Sequence, residues 1–296
     1  MSVALTQYRA LASLFSRQFF TELKDRGDLS RLVKVWKTYG SGRRCCRTAA
    51  DYLSWAYGVL LKHYACEYVY KNEFLNRVVL KNRLGKDCVV VSEFKAAGSI
   101  ADFAVFGERC EAFEIKTSLD SPRRLVGQLA SYAKLFQTVT LIVPVEAAEK
   151  YQTITPASIG LIGMFNDPKG ILHAELRPAT VSTVVDSREL MKVLHTAEYR
   201  QAVASFFGAL PRCSDLEMYT ACEKKLAQMP VSVRQQVFLE SVKHRDKRVT
   251  AMATLRRMPR ILRQMTLSMR FSEAEMDKIK NRLSSRLEDN VCISPI

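Results

Sequence analysis

Residues 101–116 read ADFAVFGERCEAFEIK, and the reading of this stretch decides the fold. Apolar residues run through Phe103, Ala104, Val105 and Phe106, and again through Ala112, Phe113 and Ile115, with the turn-forming Gly107-Glu108 between them. Two short strands joined by a tight turn follow from that pattern. Into them the chain sets Asp102, Glu114 and Lys116. A charge stripped of water is costly, or shifts its pKa, unless something answers it. Side chains alternate along a strand, so Glu114 and Lys116 share one face while Phe113 and Ile115 take the other. Asp102 lies opposite Ala101, Phe103 and Val105, and pairing through the turn carries it towards Glu114. Two carboxylates brought together repel unless a cation joins them, and a hard divalent ion with oxygen ligands is a natural answer. A plainer explanation stands beside it: Glu114 and Lys116 as a surface strand pair, with Asp102 as an ion partner near the turn.

On either side, strand and helix signals continue in order. VVVSEF (89–94) precedes the quoted stretch across a turn at Gly98, and Ser121-Pro122 opens a helix, RRLVGQLASYAKLF. VTLIVPV is a fourth strand, and IGLIGMF with ILHAEL, joined by NDPKG, makes a closing hairpin. This order predicts an α/β sheet covered by helices. Residues 1 to about 70 show helical spacing through Leu11, Leu14, Phe15 and Phe19 and again through Tyr52, Trp55, Val59 and Leu60, with the basic loop TYGSGRRCCR between. A further helix up to Gly85 sets Glu73 among Val69, Leu75 and Val79. Beyond Ser187 helical spacing returns, with breaks at Pro211, Pro230 and Pro259. The expected organisation is a helical region over 1–66, an α/β core over 67–180 and a basic helical region over 181–296.

The formal charge of +15 favours polyanions through counterion release, so nucleic acid is the first partner to consider. The cationic residues are spread widely and do not gather beside one apolar anchor, which argues against a membrane surface. The opening VALTQYRALASLFSRQFF is interrupted by Arg9 and Arg17, unlike an export signal. Eight cysteines include no C-x-x-C pair, so reduced thiols and a cytoplasmic setting are expected. No phosphate loop of the G-x-x-x-x-G-K-[ST] type occurs, and His63 and His244 lack partners for a triad.

Asp102 followed by a strand bearing Glu114-Ile115-Lys116 resembles the PD-(D/E)XK nuclease superfamily, with Ala101 in place of the proline. Gln128 and Tyr132, one helical turn apart, match the Q-x-x-x-Y element of its RecB-like branch. The order of elements from EFLNRVVLKNRL to EIKTSLDSPRRLVGQLASYAKLF is also similar to a small bacterial and phage family within that superfamily. This resemblance covers roughly residues 67–145. It implies a mixed central sheet flanked by helices and a Mg²⁺- or Mn²⁺-dependent nuclease acting on DNA, in phage defence, mobile-element or DNA-processing work. Asp102, Glu114 and the Ile115 carbonyl would hold the metal, with Glu73 and Glu93 as further acids, and Lys116 would orient the attacking water. Gln128, Tyr132, Arg123 and Arg124 would contact the substrate. Charge, apart from the resemblance, makes the run with Arg256, Arg257, Arg260 and Arg263 either a solvated helix face or a phosphate-contacting surface that supplies general affinity. RNA as substrate, a weakly active or inactive nucleic-acid-binding protein, and a homodimer or regulatory partner are the alternatives this reading leaves open.

Overall fold

The computed structural model describes residues 3–40, 46–82, 88–118, 120–167, 170–245 and 252–288. In chain order it opens with helices α1 (Val3–Ser13), α2 (Arg17–Arg26), α3 (Ser30–Tyr39), α4 (Ala49–His63), α5 (Glu67–Phe74) and the single turn α6 (Leu80–Asn82). Strands β1 (Val89–Ala96), β2 (Ser99–Phe106) and β3 (Cys110–Ile115) follow. Next come α7 (Leu125–Ala133), β4 (Thr138–Pro144), α8 (Ala148–Ile154), β5 (Gly160–Asp167) and β6 (Gly170–Arg177). Helices α9 (Ser187–Val193), α10 (Thr196–Phe207), α11 (Asp215–Gln228), α12 (Val231–His244), α13 (Met252–Arg257), α14 (Arg263–Met269) and α15 (Glu273–Leu283) complete it.

The strands form one six-stranded sheet in sequence order, β1 to β6. The β1–β2 and β2–β3 pairs are antiparallel, whereas β4 runs parallel to both β3 and β5. The chain therefore folds as a mixed α/β protein with a mixed sheet flanked by helices. The parallel pairs follow from local sequence: α7 and α8 each supply the crossover that a parallel connection needs. The β1–β2 hairpin turns on Ala97 (φ 48°) and Gly98 (φ 81°), a two-residue loop with both residues left-handed, which matches the twist of the strands it joins.

Two compact units emerge. One comprises residues 85–165 and 173–252, the sheet with α7 to α12. Its main core sets Phe94, Phe106, Phe136 and Phe238 against one another with ring centroids 5.2–6.0 Å apart. Tilted and edge-to-face packing of this kind anchors α12 and the chain just after α7 on the sheet. The other unit comprises 1–84, 166–172 and 253–296 and is largely helical. Here Lys24 pairs with Glu275 at 3.3 Å, Arg282 donates to the carbonyls of Leu23 and Lys24, and Arg17 donates to the Ser268 carbonyl.

The expected region 181–296 is accordingly divided: α9 to α12 join the sheet, and α14 and α15 join the N-terminal helices. Helical spacing shows that a segment is helical and which stripe it buries, but carries no information about the surface that stripe meets.

Among the described residues no disulfide links Cys46, Cys66, Cys88, Cys110, Cys213 and Cys222 to one another. Burial pushes the thiols of Cys66, Cys110 and Cys222 up, away from reactivity. Most of the basic loop GSGRRCCR, residues 41–45, lies outside the described residues, as do Lys247, Arg248 and Cys292. No helix among the described residues is long and apolar enough to cross a membrane.

Candidate active site

Phe103 and Phe113 are the last paired residues of the β2–β3 ladder, so Asp102 and Glu114 each stand one residue past it on adjacent strands. The Ile115 N–H donates to Asp102 Oδ2 at 2.7 Å. The carboxylate thus takes over an amide at the point where the ladder ends, a charge-assisted bond that fixes the end of β3. Glu114 is two residues from Ala112, a core residue on the α7 side, and is 3% exposed.

Lys116 follows β3. Its N–H donates to the Ile142 carbonyl at 2.9 Å and extends the register with β4. Thr117 then donates to Asp120 Oδ2 from its amide at 2.7 Å and from its hydroxyl at 2.8 Å, turning the chain away at once. The Lys116 side chain is thereby held in place, with Nζ 2.6 Å from Glu114 Oε1 and 3.2 Å from Gln128 Oε1. Gln128 and Tyr132 do share one face of α7, as their spacing predicts, and that face looks onto the carboxylates.

Tyr132 has a role the sequence did not suggest. Its hydroxyl lies 2.6 Å from the Ile100 carbonyl and 2.9 Å from Glu114 Oε2, and the side chain is fully buried. A buried phenol bonded in this way holds the carboxylate and is out of reach of a phosphate. Its one proton serves one of those acceptors at a time.

Burial pushes the Glu114 carboxyl above its ordinary value and the charge of Asp102 pushes the same way, while Lys116 and Tyr132 oppose them. Burial, and after it the charge of Glu114, drives the Tyr132 phenol far upward, so it stays a protonated donor.

Glu93 falls between the pairs Ser92–Phe103 and Phe94–Ala101, across β1 from Asp102. It is exposed and has φ 55°, a left-handed residue inside a strand. There the alternation breaks: Val89 and Val91 face the main core before it, Phe94 and Ala96 after it. Strand parity alone could not have predicted that flip.

Glu73 belongs to the helical unit and is 1% exposed. Its carboxylate accepts from Tyr57 Oη at 2.9 Å, Arg77 Nε at 2.7 Å and Arg260 at 2.7 Å. Two guanidinium groups and a phenol engage this acid, which gives it a structural role in place of the expected metal ligation. The basic run meets the same fate in part. Arg263 donates to Asn76 Oδ1 at 2.7 Å and to the Arg256 and Met258 carbonyls, and Arg256 donates to the Leu80 carbonyl. Arg257 is largely exposed, with Glu273 at 3.5 Å. Asn76 donates to the Asn72 carbonyl at 2.8 Å within the π-helical turn Leu75–Val79, where the Leu80 N–H reaches back to Leu75. A side chain taking a helix carbonyl accompanies the wider turn.

Arg123 and Arg124, both exposed at the start of α7, line a cleft of about 600 Å³ with Gly98, Ser99, Ile100, Gly127 and Gln128. The sequence signalled the two arginines but not the glycines or Ile100, which come to line one cleft only in the folded chain. Among the described residues no group of three or more His, Cys, Asp or Glu side chains is placed to hold a metal ion.

Comparison with known proteins adds one finding: the family described as bacteriophage P4 protein cII matches residues 61–269. The chain belongs to that family. The match takes in the helix of Glu73, the whole sheet, the Asp102–Glu114–Lys116 cluster and α13 and α14. The expectation of a phage family is met at this level, and the P4 cII family is the identity the comparisons establish. No curated protein and no solved structure matches the chain.

Proposed function

We propose that this P4 cII family member is a metal-dependent phosphodiesterase acting on DNA, with a PD-(D/E)XK-like centre in the sheet unit. The observation that supports it most is the Lys116 ammonium held at once by Glu114 and by Gln128, beside Asp102 at the end of the neighbouring strand. Asp102, Glu114 and the Ile115 carbonyl are hard oxygen donors of the kind Mg²⁺ or Mn²⁺ takes. The ion, when bound, polarises the phosphate and lowers the pKa of water.

The chain's own residues supply the rest. Lys116 is fixed by Gln128 where a positive charge offsets charge developing on the phosphate, and it orients the attacking water. Tyr132 and Lys116 keep Glu114 in place by bonding both of its oxygens. Arg123, Arg124 and the exposed part of the basic run add affinity that does not depend on sequence. Glu93, open to solvent across from Asp102, is the further carboxylate in this reading. The phage family suits DNA processing, defence or mobile-element work inside a cell, and a partner or second copy is compatible with it.

A second reading is a nucleic-acid-binding protein with little activity. It is favoured by the fact that both Glu114 oxygens are already bonded.

Incubation of supercoiled plasmid, linear duplex, single-stranded DNA and RNA with Mg²⁺, Mn²⁺ or EDTA separates the two. The nuclease reading expects metal-dependent cleavage that Lys116→Ala reduces by at least a hundredfold, as for loss of one preorganised electrostatic group. Binding without cleavage of any substrate supports the second reading.

A further inference from the structure

The cleft beside the Glu114–Lys116 cluster has a composition that a plain phosphate-binding groove does not need. Its size falls within the roughly 300–1,000 Å³ typical of sites for small ligands. Arg123 and Arg124 supply positive charge, and none of the lining residues is acidic. Ile100, half exposed at 50%, places an apolar side chain in the same space. Gly98 and Gly127 present no side chain, and a Cβ built at either would meet nothing within 4 Å. At both positions the backbone is therefore open to a group packed close against it.

Two residues tie the cleft to the charged cluster. Gln128 lines it and accepts from Lys116 at 3.2 Å, while the Ile100 carbonyl is held by the hydroxyl of Tyr132, which also contacts Glu114. In a continuous duplex the base faces are stacked, and only the backbone and the base edges are offered to such a surface. A base reaches an apolar platform only when it is unpaired.

We infer that this cleft seats one unpaired nucleotide of a DNA strand, its phosphate on Arg123 and Arg124 and its base against Ile100 and the open backbone of the two glycines. The inference rests on the nuclease reading only in taking the adjoining phosphate as the one offered to Glu114 and Lys116. The protein accordingly prefers single strands, frayed ends or flaps to uninterrupted duplex.

The test is fluorescence anisotropy in EDTA, using a labelled oligo-dT of about a dozen residues and a duplex of equal length. The wild-type chain is expected to bind the single strand more tightly. Gly127→Leu, which fills the cleft from a helix position where Leu is the better helix former, should weaken single-strand binding about tenfold and leave duplex binding within about twofold. Ile100→Ser, at an exposed site, should give the same selective loss and serves if Gly127→Leu melts early. Equal loss on both DNAs, unchanged single-strand binding in both variants, or no single-strand preference in the wild type overturns the seat. Cleavage with Mg²⁺ is scored separately. Selective loss without cleavage in any metal keeps the seat and removes the nuclease, whereas cleavage with no selective loss does the reverse.

Discussion

Glu114 is the residue on which most of the chemistry turns, and its surroundings make a pH prediction. Its carboxyl is raised by burial and by Asp102, so the folded chain holds that proton more tightly than the unfolded chain does. The stabilisation is therefore complete below the ordinary carboxylate pKa and is lost as pH rises through the raised folded value. Glu114→Gln, which mimics the protonated form, should melt with the wild type in acid and above it at neutral pH. Thermal melts in EDTA across that range check this, and parallel curves would show that Glu114 carries no such linkage. Tyr132→Phe removes the hydroxyl shared by the Ile100 carbonyl and Glu114 Oε2. Leaving buried acceptors unmet should cost about 1–3 kcal/mol in urea unfolding. The positions of Asp102, Glu114, Lys116, Gln128 and Tyr132 were legible from spacing. That Tyr132 grips Glu114 was not, because two side chains eighteen residues apart meet only once α7 has packed on the sheet.

Elements decide whether a charge is available or already committed. In the helical unit, Glu73 binds the helix of Arg77 to the turn at Arg260, a contact made across 187 positions of sequence. Glu73→Ala should lower stability by about 2 kcal/mol, since it removes charge-assisted bonds from a buried acceptor while the half-exposed Arg260 can rehydrate. Its effect should be the same with or without Mg²⁺ in a melting experiment. Arg263 and Arg257 should part company in the same way. Arg263→Gln breaks bonds to Asn76 and to the Arg256 carbonyl and should lower the melting temperature. Arg257→Gln should leave melting unchanged and reduce the salt slope of DNA binding by about 0.9 if it meets a phosphate. Within the sheet, Gly160 lies so close that a Cβ would stand 2.8 Å from Thr140 Oγ1 and 3.0 Å from the Ala179 amide. Gly160→Ala should cost about 1–3 kcal/mol by overpacking, read from the urea midpoint.

For the whole molecule, the net charge of +15 sets the expected response to salt. Affinity for any nucleic acid should fall by about a hundredfold or more between low and physiological salt if several phosphates are met, and anisotropy titrations across that range measure it. The order of helices and strands, the α/β class and the charge were all readable from the chain, because periodicity and composition are local properties. So was the clustering of Asp102 with Glu114 and Lys116, which needs only a hairpin and strand alternation. Division of the C-terminal helices between two units, the engagement of Glu73 by arginines, the reversal of faces at Glu93 and the glycine-walled cleft were decided by tertiary structure. Each depends on which surfaces meet across long stretches of sequence, and a pattern that marks a face as buried does not name the face that buries it.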